Sequence, residues 1–103
     1  MSSSSESTTT PTTTQIHEGP VVESPVVLPA HLHARPAGRL ARAAAGFASA
    51  VQLEYAGRRV NPTGVLAVMG LGATAGSTVT VRAQGPDAEQ AVATLVEILA
   101  TAE

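Results

Sequence analysis

The chain has 103 residues, 44% of them hydrophobic, no cysteine and a formal net charge of −2. This fits one small domain whose core comes from apolar burial alone, without disulfides or thiolate chemistry. All its basic side chains are arginine, which excludes a lysine Schiff base and a Walker-type lysine. Two aromatic residues, Phe47 and Tyr55, are too few for base-stacking platforms, and the charge balance argues against a general nucleic-acid binder.

In chain order, residues 1–19 form a Ser/Thr-rich tail with almost nothing to bury, and disorder is expected there. The tail has no Lys or Arg and no apolar run of the kind a secretory signal carries. No stretch reaches the length of a membrane span, so a cytoplasmic protein without membrane insertion is expected. The folded domain is expected over residues 20–103. "PVVESPVVL" (20–28) is rich in β-branched residues but broken by Pro25, which suits an edge strand. Residues 34–47 read as a helix. Pro36 fits its first turn, and Leu40, Ala44 and Phe47 fall on one face.

"AVQLEY" (50–55) alternates Val51, Leu53 and Tyr55 with Gln52 and Glu54, the pattern of a half-buried strand. Gly57 then turns the chain into a short strand, "RRVN". Pro62 biases Asn61 away from helix, and Thr63 is expected to cap a short helix, "GVLAVMGL", ended by Gly72. Thr78, Thr80 and Arg82 alternate with Val79, Val81 and Ala83 in a further strand. "GPDAEQAV" offers Asp87 as a cap with Gln90 three residues on. Ala88, Ala91, Val92, Leu95, Val96 and Leu99 then mark the clearest amphipathic helix in the chain. The order β-α-β-β-α-β-α, with alternating strands, predicts an α+β fold: a two-layer, open-faced sandwich with helices on one face of the sheet.

The chemistry concentrates at "HLHARP" (31–36). His31 and His33 alternate in an extended segment and point the same way. A zinc or copper site needs three or four ligands, and no cysteine or nearby acid supplies the rest, so no metal is expected. A neutral imidazole at a helix entrance is a nucleophile that can attack phosphorus. An unperturbed imidazole titrates near pH ~6.5. The helix start carries about half a positive charge, worth ~0.3–1 kcal/mol to an exposed anion. Arg35 adds a planar guanidinium able to grip phosphate oxygens. Arg35, Arg39 and Arg42 continue as a basic stripe able to steer an acidic partner. The residues alone leave two readings open: a phosphoryl-accepting site, or a surface histidine capping a helix beside a solvated arginine.

"LHARPAG" (32–38) resembles the active-site signature of the histidine-containing phosphocarrier proteins, HPr, of the phosphoenolpyruvate-dependent sugar phosphotransferase system. That signature is Gly, an aliphatic residue, His, a small residue, Arg, Pro, then small residues. "AAGFASAVQL" and the sequence from "AGRRVNPTG" onward are similar to the rest of the family pattern, so the resemblance covers roughly residues 20–103. It implies the βαββαβα open-faced sandwich, a four-stranded antiparallel sheet covered on one face by three helices. It implies that His33 is phosphorylated on Nδ1 by enzyme I and passes the group to a histidine of an enzyme IIA domain, with Arg35 contacting the phosphoryl group. It also implies that Ala34, Arg35, Arg39, Val65, Leu66 and Met69 dock both partners.

The implied protein is a carrier rather than a stand-alone enzyme, expected to be a monomer with no cofactor. "GVLAVMGL" is apolar almost all round, which agrees with an exposed partner patch. Two positions depart from the pattern. His31 stands where the family has glycine, and Gly64 stands where many members carry a regulatory serine, with Thr63 one residue before. A kinase switch at that position is therefore not expected. Two alternatives remain: a paralogue serving a dihydroxyacetone or nitrogen-related relay, and a regulatory module that binds without transferring.

Overall fold

A computed structural model describes residues 20–103; the expectation of a disordered tail lies outside the described residues. The elements are β1 (Val21–Val27), α1 (Ala34–Ala45), β2 (Ala50–Tyr55), β3 (Arg58–Val60), α2 (Val65–Met69), β4 (Thr78–Gln84) and α3 (Ala88–Ala100). The strands form one antiparallel sheet in the order β1-β4-β2-β3.

β1 is an edge strand, and this is what makes Pro25 tolerable: it lies opposite Thr80 with no strand on its other side. Alternation sorts the faces. Val26, Val79, Val81, Ala83, Val51 and Leu53 point into the core, while Glu23, Arg82, Gln52 and Glu54 lie outside it. On that open face Arg82 pairs with Glu23 at 2.7 Å across β1 and β4. The second layer is helical. α3 lies across β1 and β4 and packs on α1, and α1 in turn packs on α2. Leu40, Leu95, Leu99 and Val68 are buried at this interface. Truncating one such leucine to alanine costs ~2–5 kcal/mol.

Four local expectations are corrected. α1 stops at Ala45, so Phe47 lies past the helix and is half-buried rather than part of its stripe. Thr63 does not cap α2. Asn61 Oδ1 accepts both the Thr63 amide (3.0 Å) and the Thr63 hydroxyl (2.8 Å). Gly64 is left at the N-cap, without a side chain to offer. α2 ends at Gly70 rather than Gly72, and Arg58 donates to the Gly70 carbonyl at 3.1 Å. A cationic side chain at a helix C-terminus is favourably placed against the dipole.

Asp87 stands at the N-cap of α3, but its carboxylate makes no capping bond. It accepts from the Ala48 and Ser49 amides, both at 2.9 Å, and from the Ser49 hydroxyl. The nearby turn needs glycine for a steric reason. Gly85 has φ +147°, and a Cβ there would stand 2.7 Å from Ser49 Oγ.

Candidate functional site

The segment between β1 and α1 runs extended against the loop before β4. Leu28 donates to Ser77 at 2.8 Å, Gly76 donates back to Leu28 at 2.8 Å, and Leu32 donates to Ala73 at 3.4 Å. Alternation along this segment buries Leu32 and leaves His31 and His33 exposed on either side of it. The register that places Leu32 in the core is therefore what presents both imidazoles to solvent.

His33 is the N-cap of α1, with φ −88° and ψ −170°. Its carbonyl accepts from Ala37 at 3.0 Å, the first turn of the helix. Its side chain makes no capping bond, so both ring nitrogens are free of the helix. Pro36 in that turn has no N–H, and its ring is buried, together with Ala37, under the helix start. The amides of Ala34 and Arg35 remain as donors without an intrahelical acceptor. An anion held beside His33 thus meets two amides and the positive end of a 12-residue helix, with Arg35 in its first turn.

The two histidines and α2 share one concave surface, lined by His31, Leu32, His33, Met69, Gly72 and Thr74. A second hollow beside it is lined by Arg35, Pro36, Arg39 and Glu103. Arg35, Arg39 and Arg42 are exposed, and among the described residues none of them is in an ion pair.

On α2, Leu66 is 81% exposed and Met69 37%, whereas Val68 is fully buried. Leu66 and Met69, three residues apart, share a face. The structure therefore places Met69 on the surface that His33 lines, Leu66 one turn before it on α2, and Arg35 and Arg39 together at the second hollow. Ala34 is exposed, and Val65 is half-buried. No group of three or more potential metal ligands occurs among the described residues. Two site neighbours escape sequence reading. Glu103 lies at the Arg35 hollow, and the Ala75 amide donates to His31 Nδ1 at 3.1 Å.

A free imidazole at a helix start with unpaired amides is chemically suited to accept and release a phosphoryl group. Comparison with known proteins supports the same chemistry: residues 22–101 match the family model described as the PTS HPr component phosphorylation site. The chain belongs to the HPr family. HPr from Bacillus anthracis str. Ames has a similar structure, with TM-score 0.71 and 31% identity over 77% of this chain and 96% of that one. HPr from Thermoanaerobacter tengcongensis aligns with TM-score 0.67 and 31% identity, over 78% of this chain and 90% of that one. The solution structure of Crh, the Bacillus subtilis catabolite repression HPr, aligns with TM-score 0.66 and 32% identity, over 81% and 99%. The element order, the open-faced antiparallel sheet and the three helices are those of an HPr phosphocarrier. No helix among the described residues is long and apolar enough to cross a membrane.

Proposed function

We propose that this HPr-family chain accepts a phosphoryl group on His33 from phospho-enzyme I and delivers it to a histidine of an enzyme IIA domain. The observation that carries the reading is the uncapped, exposed His33 ring at the start of α1, two residues before Arg35. In the forward step the lone pair of neutral His33 Nδ1 attacks phosphorus. The N–P bond of phospho-enzyme I breaks, and its electron pair stays on the donor histidine. The reverse displacement on the acceptor completes the relay.

The anion site is modest. A helix start contributes ~0.3–1 kcal/mol, and one exposed arginine adds little more than a surface ion pair, ~0–1 kcal/mol. Stabilising the phosphorylated state strongly would slow onward transfer, so a weak site suits a carrier.

Leu66 and Met69, with Ala34 and Arg39 across the junction of α1 and α2, form the surface on which donor and acceptor dock in turn. Val65 contributes at its buried margin. The basic stripe of α1 favours acidic partners. Gly64 has no hydroxyl to phosphorylate, and the Thr63 hydroxyl is engaged by Asn61, which favours a carrier over a kinase-switched regulator. This reading takes the chain to be a cytoplasmic monomer that needs no cofactor.

Loading with labelled phosphoenolpyruvate and enzyme I, followed by addition of an enzyme IIA domain, tests the relay. The label is expected to enter the chain and then leave it. Arg35→Ala is expected to slow both steps about tenfold with an unchanged melting temperature, because the side chain is exposed. A chain that binds both partners yet takes up no label from several enzyme I sources would contradict the reading.

A further inference from the structure

His31 is anchored from across the fold. The Ala75 amide, 44 residues away, donates to its Nδ1 at 3.1 Å. An imidazole nitrogen that accepts a hydrogen bond carries no proton, so this contact leaves the ring's N–H on Nε2. The two ring nitrogens of an imidazole point to opposite sides of the ring. The Nε2–H is thus turned away from Ala75 and left free to donate, and no acceptor for it occurs among the described residues.

The His31 and His33 rings stand edge to face, with centroids 6.3 Å apart and an interplanar angle of 71°. Two imidazoles joined directly by an N–H···N bond have centroids no more than about 5.5 Å apart. The rings are therefore not bonded to each other, and they line one concave surface together. The gap between the rings is of the size that a phosphoryl group carried on one of them would enter.

We propose that His31 is a second phosphoryl-binding residue: its Nε2–H, set by the Ala75 amide, donates to an oxygen of the phosphoryl group carried by His33. This rests on His33 being the acceptor. Arg35 and the helix amides then hold the group from the α1 side, and His31 holds it from the side of the loop before β4. Holding the oxygens by hydrogen bonds opposes expulsion of the phosphoryl group to water, so the phosphorylated state is longer-lived with His31 than without it.

The test loads the full chain with phosphoramidate, which phosphorylates histidine without enzyme I: its N–P bond breaks, the bond to His33 forms and ammonia leaves. The lifetime of phospho-His33 at pH 8 is then compared in wild type, His31→Gln, His31→Phe and His31→Gly. Glutamine keeps an N–H donor of similar reach, while phenylalanine keeps the ring and loses both nitrogens. Wild type and His31→Gln are expected to hold the phosphoryl group about three- to tenfold longer than His31→Phe and His31→Gly, the size of one ordinary net hydrogen bond at an exposed site. The Nε2–H proton resonance of His31 is expected to move on phosphorylation of His33.

Equal lifetimes in wild type and His31→Phe would overturn the proposal, as would stable phosphate on His31 itself in His33→Ala. If phosphoramidate loads His33 but enzyme I does not, the relay reading falls while the lifetimes still decide the role of His31.

Discussion

The carboxylate of Asp87 collects three donors from one loop: the Ala48 and Ser49 amides and the Ser49 hydroxyl. The Asp87 amide in turn donates to Ser49 Oγ at 3.1 Å, which closes the pair reciprocally. These bonds tie the connection between α1 and β2 to the start of α3, so one side chain fixes the spacing of two elements. The Ser49 hydroxyl first, and then the Ala48 amide, hold the Asp87 carboxyl below the usual carboxylate range. A depressed carboxyl favours folding while it is ionised. Its contribution is therefore present above the unfolded carboxylate pKa of about 3.9 and is lost as pH falls through the lower folded value. The melting temperature of wild type is expected to exceed that of Asp87→Asn at pH 7, with the gap closing below about pH 4. A gap of constant size from pH 7 to pH 3 would contradict this role.

α2 has five residues and one fully buried side chain, Val68, yet it presents Leu66 at 81% exposure. A large aliphatic side chain so open beside the Arg35 and His33 region has no folding role that its own contacts explain. It is consistent with a docking surface. Leu66→Glu is accordingly expected to weaken association with enzyme I about tenfold or more by calorimetry, while the melting temperature moves by no more than a surface change, within ~0.5 kcal/mol. A collapsed melting temperature with unimpaired association would assign Leu66 to the core instead.

α3 and β4 were legible from sequence because each carries an uninterrupted period, 3.6 in one and 2 in the other, over several repeats. The start of α2 is not, because the Asn61 side chain holds Thr63 in a turn one residue before the N-cap, Gly64. The sequence places Asp87 at its helix start but not the donors its carboxylate accepts from, which lie 38 and 39 residues away.

Taken as a whole, the molecule separates its tasks by face. The outer surface of the sheet carries Glu23, Arg82, Gln52 and Glu54, with Val21 and Val27 exposed along the edge strand β1. Elsewhere the β1–α1 segment and α2 place His31, His33 and Met69 on one surface, and α1 places Arg35 and Arg39 on another. The strand order β1-β4-β2-β3 creates the histidine surface, because it places the loop before β4 alongside the segment leading into α1. The motif "LHARPAG" holds the two proposed site residues, His33 and Arg35, within a few positions. The strand order and the amide that holds His31 involve pairings distant in sequence, which local patterns do not specify.

The central claim is that one ring, His33, carries the phosphoryl group. It is tested most directly by treating wild type and His33→Ala with labelled phosphoenolpyruvate and enzyme I and locating the label by nitrogen and phosphorus NMR. Wild type is expected to hold one acid-labile, alkali-stable phosphate on His33 Nδ1, and His33→Ala none. Equal labelling of His33→Ala, or label on any other residue of the wild type, would contradict the account.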